Sequence, residues 1–305
     1  MAKKLEDVQT QQVTVVQTSQ IKGSKKSKFN YYLKELIHHP SGFTGAIILV
    51  IVILVGIFGK MIAPYDPMAM DLGLKLLPPL SEGHILGTDQ LGRDILSRII
   101  VGTRVSLIIG GVTVIGAGII GTVIGIISGY FRGWIDAVIM RIVDVTLSFP
   151  FILMVLVIST VLGAGLKNII FALIIAGWVA FARIVRSEVL ALREKEFIIA
   201  SIATGVPRWE IIVKHILPNL FTPIIVLASL QTANYIIAEA GVSFLGFGIQ
   251  PPTPAWGNML SEGRDFIFSS WWLITFPGIA ILLTTLGINL VGDWLRDVLD
   301  PEYKK

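Results

Sequence analysis

The sequence predicts an all-α membrane protein that crosses the bilayer six times. Three observations lead there. Of its 305 residues, 53% are hydrophobic and only 15% charged, against about 25% charged in soluble domains, and the mean hydropathy is +0.76. Uncharged runs occupy 41–59, 105–131, 145–166, 168–182, 216–238, 240–261 and 266–292, and a spanning helix needs about 20 mostly apolar residues. The basic residues also segregate: with both termini in the cytoplasm, 18 Lys and Arg fall inside and 7 outside, as the positive-inside rule requires.

Residues 1–40 form a cytoplasmic tail. The first 28 are polar and expected to be disordered, and Lys22, Lys25, Lys26 and Lys28 suit anionic lipid better than nucleic acid. No cleaved signal peptide is expected, because the apolar run starts late and no A-x-A-like site follows it. The segment FNYYLKELIHHP (29–40) fits an interfacial helix with Tyr31 and Tyr32 at headgroup level. The first span is placed at 43–62 within a 41–62 unit, followed by an outer loop at 63–101. The next spans are 104–130, 138–162 with a kink at Pro150, and 167–186, whose last turn snorkels Arg183 and Arg186. The fifth, 217–243, must end in a non-helical return, because Gly246, Gly248, Pro251, Pro252, Pro254 and Gly257 cannot continue a helix. The sixth is 271–293, and 295–305 is a cytoplasmic tail.

Inside the second span, Thr113, Ala117, Gly121, Gly125 and Gly129 recur every four residues. Such a stripe lets another helix approach closely, within this chain or from a partner. Carboxylates within spans are few: Asp144 near the inner end of the third and Glu239 near the outer end of the fifth, with Ser243 one turn on. An intramembrane carboxylate faces protein or water. Glu239 is therefore either a lining residue of a polar path or the buried partner of a neighbouring hydroxyl or backbone N–H.

Several chemistries are excluded. There is no cysteine, and His38, His39, His84 and His215 make no spaced ligand set, so no metal site is expected. No G-x-x-x-x-G-K-[ST] phosphate loop exists, and Gly59-Lys60 lacks the upstream glycine. H-E-x-x-H and G-x-S-x-G are missing too, so no enzyme is indicated. Nucleotide energy, if used, comes from another polypeptide. A secondary transporter or channel is the alternative, but no repeat relates 40–160 to 165–295 and no filter ring is present.

One polar stretch interrupts the spans. Residues 183–204 keep a helical rhythm, with Ile184, Val185, Val189, Leu192, Phe197, Ile198 and Ile202 against Arg186, Glu188, Arg193, Glu194 and Lys195. Gly205 then ends the helix as a C-cap glycine, Pro207 opens the next at its first position, and Pro218 stands at the fifth span's entrance.

The spacing Ala200-Ser201-x-x-x-Gly205 and then His215-Ile216-Leu217-Pro218 resembles the EAA loop of permease subunits of binding-protein-dependent ABC importers. Ile199 stands where that motif has Glu, Ser201 where it has a second Ala, and His215 where it has Ile, while Glu196 lies one turn earlier. GTDQLGRDILSRIIVGTRVSL (87–107), EAGVSFLGFGIQPPTPAWGNML (239–260) and APYDP (63–67) look like the second permease subunit of dipeptide, oligopeptide and nickel importers. The likeness spans roughly 40–300. It implies a type I importer transmembrane domain over 102–294, five helices with the coupling loop at 188–218, and a first span packed around the partner permease. It further implies a homologous second permease, two ATPase subunits carrying ATP and Mg, an extracytoplasmic substrate-binding protein and a peptide substrate. The chain itself would hold no cofactor. By the same resemblance Glu196, Phe197, Ile198, Ala200, Ser201, Gly205, Pro207, Leu217 and Pro218 couple to the ATPase.

Overall fold

The computed structural model describes residues 34–81 and 83–299, and within them the chain is almost wholly helical. The lysine cluster, Tyr31, Tyr32 and residues 300–305 lie outside the described residues. Residues 34–38 are helical, and α1 (Pro40–Ile62) follows after a break at His39, whose ring accepts from the Gly42 N–H. The other long elements are α2 (Ile95–Phe131), α3 (Gly133–Leu147), α4 (Phe151–Leu162), α5 (Leu166–Arg193), α6 (Glu196–Ala203), α7 (Arg208–Phe244), α8 (Trp256–Gly263) and α9 (Trp272–Leu299).

Five of these helices, α1, α2, α5, α7 and α9, are long and apolar enough to cross a membrane. The sixth expected span is not one helix. α3 and α4 meet at 89° across Ser148–Pro150, so the kink expected at Pro150 is a right-angle break. Proline has no N–H to donate and disfavours helical backbone at Phe149 before it. α3 therefore ends on Ser148, whose N–H and hydroxyl both bond the Asp144 carbonyl, and α4 restarts with Pro150 as its cap.

The directions follow from the contacts. Gly121, Gly125 and Gly129 of α2 meet Trp178–Phe181, Ala182–Val185 and Arg186–Val189 of α5, so these two helices run parallel. Gly110 meets Ile236 while Ile126 and Tyr130 cluster with Leu220, so α7 runs opposite to α2. Gly42 and Gly45 meet Trp294 and Leu290, whereas Gly56 and Gly59 meet Leu107 and Ile100, which sets α1 antiparallel to both α9 and α2. Residues 40, 131, 193, 208 and 299 thus share one end of the bundle, here the turn end. Residues 62, 95, 165, 244 and 272 share the other, the loop end.

The resemblance assigned the first span to the partner permease. Its glycine face, with Gly42, Gly45, Gly56 and Gly59 buried, packs on α9 and α2 of its own chain. Its opposite face, including Val50, Ile51, Ile57 and Met61, stays exposed for lipid or a second subunit.

α2 and α5 form the central pair. Thr113, Ala117, Gly121, Gly125 and Gly129 are all buried along it. A Cβ on Gly125 would lie 2.7 Å from the Ala182 carbonyl oxygen, and one on Gly129 would lie 2.9 Å from that of Arg186. The stripe is an intrachain contact, in which hydrogen replaces side chains so that two backbones touch.

Candidate functional site

At the turn end, the polar stretch forms a rigid bracket. α5 runs on to Arg193, seven residues past the expected end of the fourth span, and a break at Glu194–Lys195 precedes α6. The continuous helix expected over 183–204 is thus two helices. Arg186 does not snorkel. Its Nε and Nη2 donate to the two Asp136 carboxyl oxygens at 2.5 and 2.6 Å, and Ser128 adds a third donor to the same carboxylate. Such a fork-to-fork pair fixes direction as well as distance. Arg193 donates to the Tyr130 carbonyl at 2.5 Å and lies 5.2 Å above the Tyr130 ring. The end of α5 is therefore clamped to the α2–α3 turn.

α6 ends as the sequence reading expects, on Gly205 at φ +77. Val206 N–H bonds the Ser201 carbonyl and Gly205 N–H bonds that of Ile202, both at 3.1 Å, a Schellman closure that only glycine enters cheaply. Pro207 is the N-cap and not the first helical residue, and its carbonyl accepts from Glu210 and Ile211. α7 then runs unbroken into the membrane-spanning part through a π-helical stretch, Ile211–Ile216. The cause is Pro218, which cannot donate to Lys214 and whose ring crowds that carbonyl. The Leu217 N–H bonds back five residues, to Ile212, and the turn widens. Leu217 is half-buried and Pro218 exposed.

The nine residues assigned to coupling separate into two groups. Ile198 is 0% exposed, packed with Ile126, Tyr130, Val185, Val189, Ile211, Ile216 and Leu220. It is not a contact surface, as the sequence reading had it; it is the peg that fastens α6 to the bundle. Glu196, Phe197, Ala200, Gly205 and Pro207 are exposed and Ser201 is half-exposed, its hydroxyl donating to the Phe197 carbonyl. Glu196 stands in the first turn of α6, the favourable end for a carboxylate, and makes no ion pair among the described residues. The coupling set named from the sequence leaves out neighbours that complete this surface: Ile202, which it placed only in the apolar stripe, Ile199, Val213 and above all Trp209, 64% exposed. On α6 the period alone cannot separate Ile198 from Ile199 and Ile202, since both faces are apolar, and Trp209 and Val213 lie on α7, past the Gly205 turn. Ile198→Val should lower the unfolding free energy by about 1 kcal/mol, whereas Ile199→Val should leave it within about 0.5 kcal/mol; thermal unfolding of the purified protein compares the two.

At the loop end, a buried charge cluster staples the 63–94 loop to α8. Arg93 Nε donates to Asp89 Oδ2 at 2.6 Å and its Nη2 to Glu262 Oε2 at 2.7 Å. Arg98 Nη1 reaches Glu262 at 2.8 Å and also Asp89. Asp89 further accepts the backbone N–H groups of Leu91 and Arg93. Asp94 caps α2 through Ser97 and holds the His84 ring at 2.9 Å. Trp272 and Trp256 donate to the Thr88 and Ile99 carbonyls, both at 3.2 Å. The GTDQLGRDILSR signature is thus a folding device. The sequence reading treated Arg93 and Arg98 as loop charges, since their partner Glu262 lies 164 residues or more away.

Glu239 is 1% exposed and takes the Ser243 hydroxyl at 2.6 Å, while the Ser243 oxygen accepts from the Ile249 N–H. The pair therefore anchors the return after α7. The rest of that return is held by Asn258, which bonds Ala255 and Thr253, and by the Gly165 N–H on Gly248. Asp144 is exposed on α3 and is brought to neither group.

Residues 121–305 match the family described as binding-protein-dependent transport system inner membrane component. Residues 27–79 match the N-terminal transmembrane domain of oligopeptide transport permease C. The chain is 44% identical over 271 residues to the dipeptide transport system permease protein of Alkalihalophilus pseudofirmus, 89% of each chain. It is 40% identical over 288 residues to the probable D,D-dipeptide transport system permease protein of Escherichia coli, 94% of this chain and 96% of the relative. With the glutathione transport system permease protein of Pectobacterium atrosepticum it shares 37% over 281 residues, 92% and 93%. A single-chain helical bundle with five or six spans, a projecting bracket and these matches leave one assignment: the chain belongs to the binding-protein-dependent transport system inner membrane components, as a multi-pass permease subunit with the type I ABC importer transmembrane fold.

Proposed function

We propose that this permease subunit imports short peptides, pairing with a homologous permease around a shared path and drawing its energy from two ATPase subunits that bind ATP and Mg. An extracytoplasmic binding protein delivers the substrate to the loop end. The turn end, with residues 194–210 and both chain termini, faces the cytoplasm. The chain holds no nucleotide site or cofactor of its own. The dipeptide, D,D-dipeptide and glutathione systems among the relatives support the peptide substrate over nickel.

The observation that carries the coupling role is the bracket's two-sidedness. Its inner side is pegged by Ile198 and clamped through Arg186 and Arg193, while Phe197, Ile202 and Trp209 stand exposed beyond the bundle. Exposed aromatics on a rigid mount suit a protein contact, because anchoring them costs little further entropy. Closure of the ATPase pair would push the bracket, and the bracket moves α5 and α7 together.

Gly205→Val tests this. A Cβ there meets nothing within 4 Å, so the substitution acts through backbone strain at φ +77, severe for a β-branched residue. The variant should insert and pair with its partner permease, yet lose coupled uptake at least about tenfold, one decade for each 1.4 kcal/mol lost at the contact. Normal uptake by Gly205→Val complexes, with substrate-stimulated ATPase activity intact, sinks the coupling role.

A further inference from the structure

A cavity of about 920 Å³ lies between the α3–α4 break, α5 and α7. Its walls are mainly apolar, from residues such as Leu147, Phe151, Ile184 and Ile237. Its polar groups are Arg183, Ser187, Gln231, Asn234 and the engaged hydroxyl of Tyr235, which donates to Gly177. No Asp, Glu or His lines it. That volume falls within the range of about 300–1,000 Å³ typical of small-molecule sites.

Arg183 is the anomaly. It is the eighteenth residue of α5, about 26 Å along the helix at 1.5 Å per residue, three residues before the expected inner end of the span, and it is exposed in the isolated chain. Unlike Arg186 one turn on, it makes no ion pair among the described residues. A charge so placed is expensive unless it faces water, protein or a ligand. The cavity supplies that setting, with apolar walls that strengthen its field. In the same cavity, Asn234 Nδ2 donates to Gln231 Oε1 at 2.7 Å, which leaves the Gln231 amide hydrogens to donate elsewhere.

We propose that Arg183, with the Gln231–Asn234 amide pair, is a carboxylate-binding station on the substrate path. The ligand is the carboxylate of a small zwitterionic solute. Guanidinium takes a carboxylate in two parallel hydrogen bonds, the amide pair offers further donors, and the apolar walls take side chains of varied shape. A bare divalent cation is repelled from the same place. Asn234 and Ile237 are exposed in the isolated chain, so the cavity opens on a face that a second permease would close. This inference rests on the importer reading and names the chemistry of its path.

The test uses the full importer in liposomes. The chain has no cysteine, so Ser187→Cys places one thiol in the cavity wall outside the proposed station. A negatively charged methanethiosulfonate should modify it several-fold faster than a positively charged one, dipeptide-loaded binding protein with ATP should slow the reaction, and Arg183→Gln should abolish the charge preference. Arg183→Gln should also cut dipeptide uptake about tenfold, as loss of a charged hydrogen-bonding partner does, while Arg183→Lys, which keeps the charge but not the two-pronged fork, falls between Arg183→Gln and the unaltered protein, and the binding protein's own affinity is unmoved. Equal rates for both reagents in the Arg183 background, no protection by substrate during turnover, or unaltered uptake by Arg183→Gln would overturn the station. If the unaltered importer takes up no dipeptide yet the charge preference holds, the peptide substrate fails and the anion station stands.

Discussion

Asp89→Ala is expected to be the most damaging single substitution outside the central helix pair. Asp89 is 2% exposed and accepts from two arginines and two backbone N–H groups. Arg93 and Arg98 are each 1% exposed, so after the change two guanidinium groups share one remaining carboxylate, Glu262, in a water-poor setting. Breaking a buried ion pair on one side costs about 3–5 kcal/mol, because the residual charge is stranded, and the two lost backbone bonds add about 1 kcal/mol each. The expected result is a loop that no longer seals α8 and a sharp fall in the temperature at which the detergent-solubilised protein loses its monodisperse peak. Asp265→Ala is the control. Its pair with Arg264 is long, 3.5 Å, and exposed, and such pairs contribute about 0–1 kcal/mol. Equal thermal stability of the Asp89 and Asp265 variants would refute the stapling role.

The second large effect belongs to Gly125→Leu. The new side chain must occupy space where α2 and α5 touch backbone to backbone, with the Ala182 carbonyl and Val185 Cβ within 2.8 Å of the first added carbon. Neither is the movable end of a flexible side chain, so the helices must part. Overpacking of this kind costs on the order of 3 kcal/mol, and here the strain reaches both the stripe and the Asp136–Arg186 clamp just beyond it. Membrane-inserted yield should drop and uptake should vanish with it. Gly111→Leu, where an added Cβ meets nothing within 4 Å, should be tolerated on the same helix. Normal yield from Gly125→Leu would show that the helices are not held this closely.

How much of this was legible beforehand depended on the range of the interaction. Membrane class and span positions are local matters of length and polarity, and five spans lie where the uncharged runs put them. The Gly205 turn was equally legible, since only backbone chemistry within six residues decides it. In the third span the break at Pro150 was legible but its size was not, because proline marks a break without stating its angle, and 89° is set by where α3 and α4 find partners. Arg186 was read with Arg183 as seeking water, when its partner Asp136 lies 50 residues away near the α2–α3 turn, and the helical rhythm over 183–204 did not show the break at Glu194–Lys195.

By itself, then, the sequence determined the all-helical membrane class, the approximate spans, the small-residue stripe of α2 and the cap that ends α6, because each rests on solvation or backbone geometry over a few residues. Only the tertiary structure decided that Ile198 is a peg while its neighbours are surface, that Asp89, Arg93, Arg98 and Glu262 form one buried cluster, that Glu239 serves Ser243, and that Arg183 looks into a cavity while Arg186 holds Asp136. Each of those is a question of which face meets which partner, and for residues far apart in the chain that is answered only when the helices pack.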